Sequence, residues 1–194
     1  MSYDSRQRKL KSFYKEGIDG NRAWRTKAKR NKNFYKGVQW DSKDVTKLDA
    51  EDRPHLTFNQ IFPVINLISG YQRQNRQDIK VYPKKGGMKQ IADVLTAVAK
   101  NISDTSNSEY LTSMVFYDGI ISGKAWFDLD ISYDDEPING EIIMRRASPF
   151  DIIEDPNCSD YDTNACKYII KTHWWDKEAI KLAYPKARDL DAGL

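Results

Sequence analysis

Carboxylates are the residues in this chain whose types and spacing come closest to a chemical site. The span 128–141 concentrates six of them: Asp128, Asp130, Asp134, Asp135, Glu136 and Glu141. Such a group could hold Mg²⁺ for phosphodiester cleavage, because Mg²⁺ binds carboxylate oxygens. However, Asp128 and Asp130 lie two residues apart on a predicted strand, so they share one strand face with Trp126. A solvated polar face explains these acids better than a metal site.

Two further groups of acids are weaker candidates. Asp78 and Lys80 form an acid-x-Lys pattern typical of nucleases, but no partner acid on an adjoining strand is evident. A second group lacks the spacing of a calcium-binding loop and consists of Asp151, Glu154, Asp155, Asp160 and Asp162. We interpret it as a surface loop, in which Asp155-Pro156 makes a turn.

The cysteines and histidines do not form a recognisable site either. Cys158, Cys166 and His173 could supply three zinc ligands, but structural zinc needs closely paired ligands and a fourth member. His55 is remote in the sequence, and the two histidines show no nucleophile–base spacing. We expect no catalytic residue, no metal and no cofactor, and therefore no enzyme. Two cysteines give no disulfide framework and are consistent with a reducing cytoplasm.

The distribution of charge is uneven although the total is nearly balanced. The chain has 194 residues and a formal net charge of +3, and it shows neither an apolar run of membrane-spanning length nor a signal peptide. We expect a soluble, intracellular protein. The first forty residues carry twelve Lys or Arg, whereas residues 131–164 carry nine acids against two arginines. These segments are either simply solvated, or opposed patches that attract a polyanion or dock neighbouring subunits head to tail.

The basic segment positions most of the candidate phosphate contacts. Residues 4–36 predict one or two helices, with Gly17 and Gly20 as breaks, and aromatic residues are interleaved with the cations. Such a segment could bind nucleic acid, but we favour a peripheral helix laid on a neighbour. An acidic connector, Asp41 to Asp52, follows it. The phosphate-contact candidates are Arg22, Arg25, Lys27, Lys29, Arg30, Lys84 and Lys85.

The central stretch, Arg53 to Pro83, predicts a helix that Asn59 caps. Its apolar residues recur at three- and four-residue steps, and we expect them to be buried against amphipathic helices at 88–102 and 107–122. They are Phe58, Ile61, Phe62, Ile65 and Ile68. The polar end, Gln72 to Arg76, is expected to serve an interface or a fixed polar contact. The interface candidates are Arg53, Asn59, Arg73, Asn75 and Arg76.

Alternating residues after Lys124 predict strands near 125–131, 141–146, 150–153 and 168–172, and a short helix follows Asp176. The predicted fold is therefore α+β. N-terminal helices (a basic arm, then a three-helix core) precede a small antiparallel β-meander and a short C-terminal helix. We divide the chain into a basic helical arm, 1–40, and an α+β domain, 41–194.

The central stretch resembles the portal proteins of tailed bacteriophages, specifically those of short-tailed phages. The residues that carry the resemblance are Arg53, Pro54, Phe58, Asn59, Pro63, Gly70, Arg73, Asn75, Arg76 and Pro83. It continues through Asp118-Gly119, Gly123, Asp155-Pro156 and Trp174 to Pro185, and covers residues 34–186. The chain is shorter than a typical family member, so it resembles an N-terminal portion, the wing and core, without the channel-lining stem and clip.

The resemblance implies a structural subunit of the ring, usually of twelve copies, at one capsid vertex. Viral DNA would be packaged and ejected through this ring, and the subunit would contact double-stranded DNA non-specifically. Capsid and scaffold proteins are implied partners, as are the terminase and tail adaptor through regions absent here, and no membrane is implied. The implied location is the virion, after assembly in the host cytoplasm. The alternative is a sequence-independent nucleic-acid-binding module that uses the basic arm.

Overall fold

The computed structural model describes residues 3–75, 78–134, 137–158 and 162–185. These residues form six helices, then four strands, then one more helix. The elements are α1 (Tyr3–Gly20), α2 (Arg22–Tyr35), α3 (Ser42–Ala50), α4 (Ile61–Gln74), α5 (Lys89–Thr105), α6 (Ser108–Ser122), β1 (Trp126–Ser132), β2 (Glu141–Ala147), β3 (Ile152–Glu154), β4 (Ile169–Lys171) and α7 (Lys177–Ala183). The predicted α+β layout is confirmed. No described helix is both long and apolar enough to cross a bilayer.

The contacts divide the chain into two compact units. One unit joins residues 1–20 to residues 151–194, and the other comprises residues 21–150. The basic segment is thus divided at Gly20, because α1 packs with the C-terminal part of the chain whereas α2 packs with the central helices. The predicted division at residue 40 stays a prediction.

In the unit formed by residues 21–150, α4 packs against α6 and α2. Ile65 and Ser69 are buried on the packed face of α4. The predicted burial is wrong for Phe58, Ile61, Phe62 and Ile68, of which even the least exposed, Ile61, retains 37% of its surface. The helical period identifies residues on one face of a helix, but α2 and α6 cover only the strip around Ile65.

The predicted connector from Asp41 to Asp52 is also wrong, because Ser42–Ala50 forms the helix α3. Asp41 occupies the N-cap position with extended backbone, and Asp44 lies in the first turn. A carboxylate there is favourable, since the N-terminal end of a helix carries partial positive charge. The helix ends before Asp52, whose φ of 53° lies in the left-handed region.

In the unit formed by residues 1–20 and 151–194, α1 packs closely against β3. Gly17 does not break α1, contrary to the prediction, whereas Gly20 ends it. At Gly17 a side chain would overlap Cγ2 of the buried Ile153, so glycine allows the helix to approach the strand. The ring of Phe13 stacks on that of Tyr168 with 4.5 Å between their centroids.

The strands pair as two separate antiparallel hairpins. In the β1–β2 hairpin, Trp126 lies opposite Ala147 and Ser132 lies opposite Glu141. In the second pair, Ile153 lies opposite Ile170. The β1–β2 hairpin is anchored to α6, because the Arg146 guanidinium donates two hydrogen bonds to the Asp118 carboxylate.

Cys158 and Cys166 form a disulfide, so the expectation of no disulfide is wrong. Their Cα atoms lie 5.1 Å apart. The Asp155 carbonyl accepts from the Cys158 N–H, and the Asp162 carboxylate caps a 3-10 turn that ends before Cys166. These polar turns in the connection between β3 and β4 bring together two cysteines that are eight residues apart.

Candidate functional site

Asn59 connects the start of α4 to the end of α2. Its side-chain oxygen accepts hydrogen bonds from the N–H groups of Ile61 and Phe62, both at 3.2 Å. Its side-chain nitrogen donates to the carbonyl of Tyr35 at 2.9 Å. The capping role predicted for Asn59 is therefore confirmed, and the contacts of its side chain lie within the chain.

Arg53 and Arg73 of the central stretch lie at the surface. Arg53 is exposed and lies 3.3 Å from the Glu51 carboxylate, an exposed ion pair of little energetic value. Arg73 is exposed in the last turn of α4, where a cation favours the helix terminus. Asn75 ends the helix and donates from its side chain to the Tyr71 carbonyl at 2.9 Å. Arg76 lies outside the described residues.

The basic helix α2 presents its cations in two different ways. The Arg25 guanidinium donates to the Phe150 carbonyl, at 3.1 Å from one nitrogen and closer from the other, so it serves the packing of the unit. Arg22, Lys27, Lys29 and Arg30 are exposed. Lys84 and Lys85 are exposed as well, in a turn closed by the Gly87 N–H and the Lys84 carbonyl.

A polar cluster joins α2, α4 and α6. The Asn66 side-chain oxygen accepts from the hydroxyls of Tyr117, at 2.7 Å, and Tyr35, at 3.4 Å. Burial raises the pKa of Tyr35, and the neighbouring Tyr117 raises it further. The indole of Trp24 donates to the Ser122 carbonyl at 2.8 Å, a second polar bond between α2 and α6. Sequence reasoning missed this cluster, because nothing in the spacing of these residues marks them as partners.

The same three helices border a groove of about 360 Å³, which we call the basic groove. Its apolar lining is Phe34, Ile61, Ile65, Ile120 and Ile121, and its polar lining is Lys27, Arg30 and Asn31. The Arg30 guanidinium lies 5.2 Å from the centre of the Phe34 ring, within range of a cation–π contact. The structure thus brings two of the seven phosphate-contact candidates, Lys27 and Arg30, to one apolar depression.

A second groove, of about 560 Å³, lies at the polar end of α4. Gln72 and Asn75 line it together with Asp78, Lys100 and Glu109. Lys100 and Asp78 form an ion pair at 3.0 Å, which occupies the acid of the acid-x-Lys pattern. The Gln72 side chain accepts from the Ser113 hydroxyl at 3.4 Å. The end of α4 therefore makes a polar contact inside the chain and also borders an open surface.

The remaining candidates for chemistry are separated or occupied. Asp128 and Asp130 lie on the same face of β1, and Asp128 lies opposite the cation Arg145. Cys158 and Cys166 are bonded to each other, which removes both thiolates from the zinc alternative. Within the described ranges, no three of the histidine, cysteine and acidic residues are grouped to hold a metal ion.

Two helices carry apolar faces that the single chain leaves uncovered. On α4 these residues are Val64, Leu67, Ile68 and Tyr71, and on α5 they are Ile91, Val94, Leu95 and Val98. The exposed fraction is 67% for Leu67 and 57% for Ile91. Contiguous exposed apolar surface of this kind is typical of an interaction site.

A family model described as Phage P22-like portal protein matches residues 11–193. Curated proteins give no match to this sequence. The matched range covers nearly the whole chain, including the central stretch, the basic helix α2 and both hairpins. The chain therefore belongs to the P22-like portal protein family of phages.

Proposed function

We propose that this chain is a structural subunit of a portal ring at one capsid vertex, through which viral DNA enters and leaves the virion. The family match over residues 11–193 carries the proposal. The role proposed is structural: the subunit holds its neighbours and borders the DNA path without breaking covalent bonds. A cleavage assay on duplex DNA with and without Mg²⁺ tests this point, and we expect no Mg²⁺-dependent product.

Exposed apolar surface supports assembly with other copies. The uncovered faces of α4 and α5 each present a stripe of aliphatic side chains at helical spacing. Burying such a side chain stabilises a complex by roughly 1.5–3 kcal/mol, so a ring contact over either face would be favourable.

Sedimentation velocity and electron microscopy of the purified protein test assembly directly. We expect concentration-dependent association and closed ring particles. A protein that stays monomeric throughout the accessible concentration range would contradict the proposal.

The arginines at the polar end of the central stretch are proposed interface residues. Arg73 is exposed in the last turn of α4, next to Gln72 and Asn75 of the 560 Å³ groove. A planar guanidinium suits bidentate hydrogen bonding to a carboxylate or carbonyls of a neighbour. Replacing Arg73 and Arg76 with alanine should leave the circular dichroism of the subunit unchanged and weaken assembly. Replacing exposed Lys29 with alanine is the control, because it removes a cation of α2 that lines neither groove.

Any contact with DNA is proposed to be weak and independent of sequence. The exposed cations of α2 and of the turn at Lys84 and Lys85 can approach phosphates, and phosphate contacts give affinity that falls steeply with salt. We expect dissociation constants no tighter than about 10⁻⁶ M near physiological salt. Titrations of two unrelated duplexes at several salt concentrations test this. Tight, sequence-selective binding in high salt would favour a dedicated nucleic-acid-binding module instead.

A further inference from the structure

The β1–β2 hairpin has an apolar face that the single chain leaves exposed. Phe127, Leu129 and Ile131 share one face of β1, and Ile142 lies opposite Ile131 on β2. Leu129 retains 66% of its surface, and the other three side chains are about half exposed. A two-stranded hairpin is marginally stable in water unless a further strand or a helix covers its apolar face. A third strand beside β1 would therefore stabilise this hairpin.

The backbone of β1 presents unpaired groups along the outer edge of the hairpin, which we call the open edge (residues 127–131). On β2, the Met144 N–H donates to the Ser106 hydroxyl oxygen at 2.9 Å and so points away from β1. Met144 lies opposite Leu129, and opposite residues of an antiparallel pair either bond to each other or both point outward. The N–H and C=O groups of Leu129 therefore point outward, as do those of Phe127. Within the described residues no third strand joins this sheet.

A second segment of the same unit also lacks backbone partners. Residues 53–60, which we call the exposed linker, precede α4 and belong to no helix or strand. Among the described residues, no backbone–backbone hydrogen bond involves residues 54–58. Leu56 is 68% exposed and Phe58 is 78% exposed. Side chains two residues apart lie on one side of an extended chain, so the linker has the pattern of a strand that has no sheet.

Antiparallel pairing of Leu56 with Leu129 matches the exposed linker to the open edge. Phe58 then lies opposite Phe127, so that an aliphatic pair and an aromatic pair meet on the apolar face of the hairpin, and such cross-strand pairs stabilise sheets. The outward N–H and C=O groups of Leu129 and Phe127 would each exchange hydrogen bonds with the linker residue opposite.

The flanking residues agree with this register. Pro54 would lie opposite Ile131, where neither residue offers an N–H: proline has none, and the Ile131 N–H already donates to the Asp130 carboxylate at 2.9 Å. The pairing would therefore end there. On the other face, His55 lies opposite Asp130 and Arg53 lies diagonal to it, which brings a cation near an exposed carboxylate.

A second copy of this chain is the occupant of the open edge that these features favour. Within one subunit the exposed linker forms no strand and the hairpin has two strands, so the two segments are not paired. Symmetrical pairing of two open edges around Leu129 would place Asp128 opposite Asp130 twice, and like charges directly opposite each other destabilise a sheet. Pairing of linker with edge avoids this repulsion and is heterologous, as a ring requires.

We propose that the exposed linker of one subunit adds as a third strand to the open edge of its neighbour, antiparallel to β1, with Leu56 opposite Leu129 and Phe58 opposite Phe127. Strand addition gains affinity from main-chain hydrogen bonds and specificity from alternate side chains. This inference rests on the proposed ring function and specifies its partner surface, a second copy of this chain.

Mixed cysteine variants test the register. One variant carries His55→Cys and the other carries Asp130→Cys, at positions whose Cα atoms would lie about 4.5 Å apart, within the range that a disulfide spans. Cys158 and Cys166 are already bonded to each other, so a dimer on a non-reducing gel reports the new contact. After mild oxidation we expect this dimer in the mixture of the two variants. Mixing Lys29→Cys with Asp130→Cys is the control and should give none, because Lys29 is exposed outside both segments.

A proline substitution tests the backbone bonds. Leu129→Pro removes an outward N–H but no bond between β1 and β2, and proline is tolerated on edge strands. Leu129→Ala is the matched control, because it shortens the same side chain and keeps the N–H. We expect Leu129→Pro to self-associate about tenfold or more weakly than Leu129→Ala in sedimentation velocity. Circular dichroism checks that both variants are folded.

The outcomes separate the strand addition from the ring function. A dimer confined to the mixture of His55→Cys with Asp130→Cys, together with weakened association of Leu129→Pro, supports the strand addition. If the parent associates but that dimer is absent, or if the proline and alanine variants associate equally, the strand addition is overturned while the ring function stands. A dimer formed by Asp130→Cys alone indicates edge-to-edge pairing and also overturns it. A parent protein that never associates overturns the ring function itself, and the strand addition with it.

Discussion

Two helical glycines, Gly17 in α1 and Gly70 in α4, should respond to alanine with opposite signs. Alanine is favoured over glycine within a helix by about 0.8–1 kcal/mol, and this gain applies at both positions. At Gly70 a Cβ meets no atom within 4 Å, so the gain should appear in full. We therefore expect Gly70→Ala to stabilise the protein by about 0.5–1 kcal/mol.

At Gly17 the packing cost exceeds the gain. An added Cβ would overlap Cγ2 of Ile153, a side chain that is 3% exposed, and would lie 3.3 Å from the Glu154 carbonyl oxygen. A buried side chain and a strand backbone can move little, and overpacking a core typically costs about 1–3 kcal/mol. After the helical gain is subtracted, we expect Gly17→Ala to destabilise the protein by up to about 2 kcal/mol.

Urea unfolding followed by circular dichroism measures both changes in the free energy of unfolding. A second-site change sharpens the test, because leucine has no Cγ2 branch on Cβ. Ile153→Leu should therefore cost less in the Gly17→Ala background than in the parent. If Gly17→Ala stabilises the protein, as expected for Gly70→Ala, then α1 does not pack against β3 as described.

Three further predictions concern the core, alkaline stability and the disulfide. Ile65→Ala should lower the free energy of unfolding in urea by about 2–5 kcal/mol. Val64→Ala, at a 55% exposed position of the same helix, should lower it by under about 1 kcal/mol. Equal losses would contradict the packing of α4. The pKa of Tyr35 is raised above its usual 10.0, so the folded state holds the phenol proton more tightly than the unfolded state does. The free energy of unfolding should therefore be highest below pH 10 and fall as the pH rises above 10. Unfolding curves between pH 8 and 11 bracket the ordinary pKa of about 10, and Tyr35→Phe should lessen the decline over this range. An unchanged decline would refute the assignment of this effect to Tyr35. Reducing the Cys158–Cys166 disulfide should destabilise the protein by about 2–3 kcal/mol, the loop-entropy expectation for a short loop. Thermal melts with and without reductant measure this loss, and a variant with both cysteines changed to serine should not respond to reductant.

The sequence predicts those elements whose residues repeat with a clear period. The strands around Trp126 and Glu141 alternate, and the helix after Asn59 repeats every three to four residues, so their types and approximate bounds are predictable. Helix α3 is not, because Val45 and Leu48 are its only large apolar residues and its polar residues are equally typical of a connector. Local chemistry was sufficient for the Asn59 cap, since its partners are its immediate neighbours in the chain.

Burial and long-range pairing could not be predicted in the same way. The period marks Phe58 and Ile65 as members of one apolar set, but only the position of α2 and α6 decides that Ile65 is buried and Phe58 is 78% exposed. Similarly, Arg25 and Arg30 are equivalent in the sequence, whereas the structure ties Arg25 to the Phe150 carbonyl and leaves Arg30 beside the basic groove. Contacts across more than a hundred residues leave no local signal.

The pairing of α1 with the C-terminal part of the chain has a consequence for synthesis on the ribosome. Residues 1–20 are synthesised before their packing partners in β3 and β4, which begin at Ile152, about 130 residues later. At about 5–20 residues a second, the helix waits roughly 7–26 s before the strand that receives Gly17 exists. During this interval Phe13 has no Tyr168 to stack on, so α1 should be open to proteases and chaperones. Limited proteolysis of stalled chains ending before and after residue 175 would reveal it, and equal protection of α1 in both would exclude the delay.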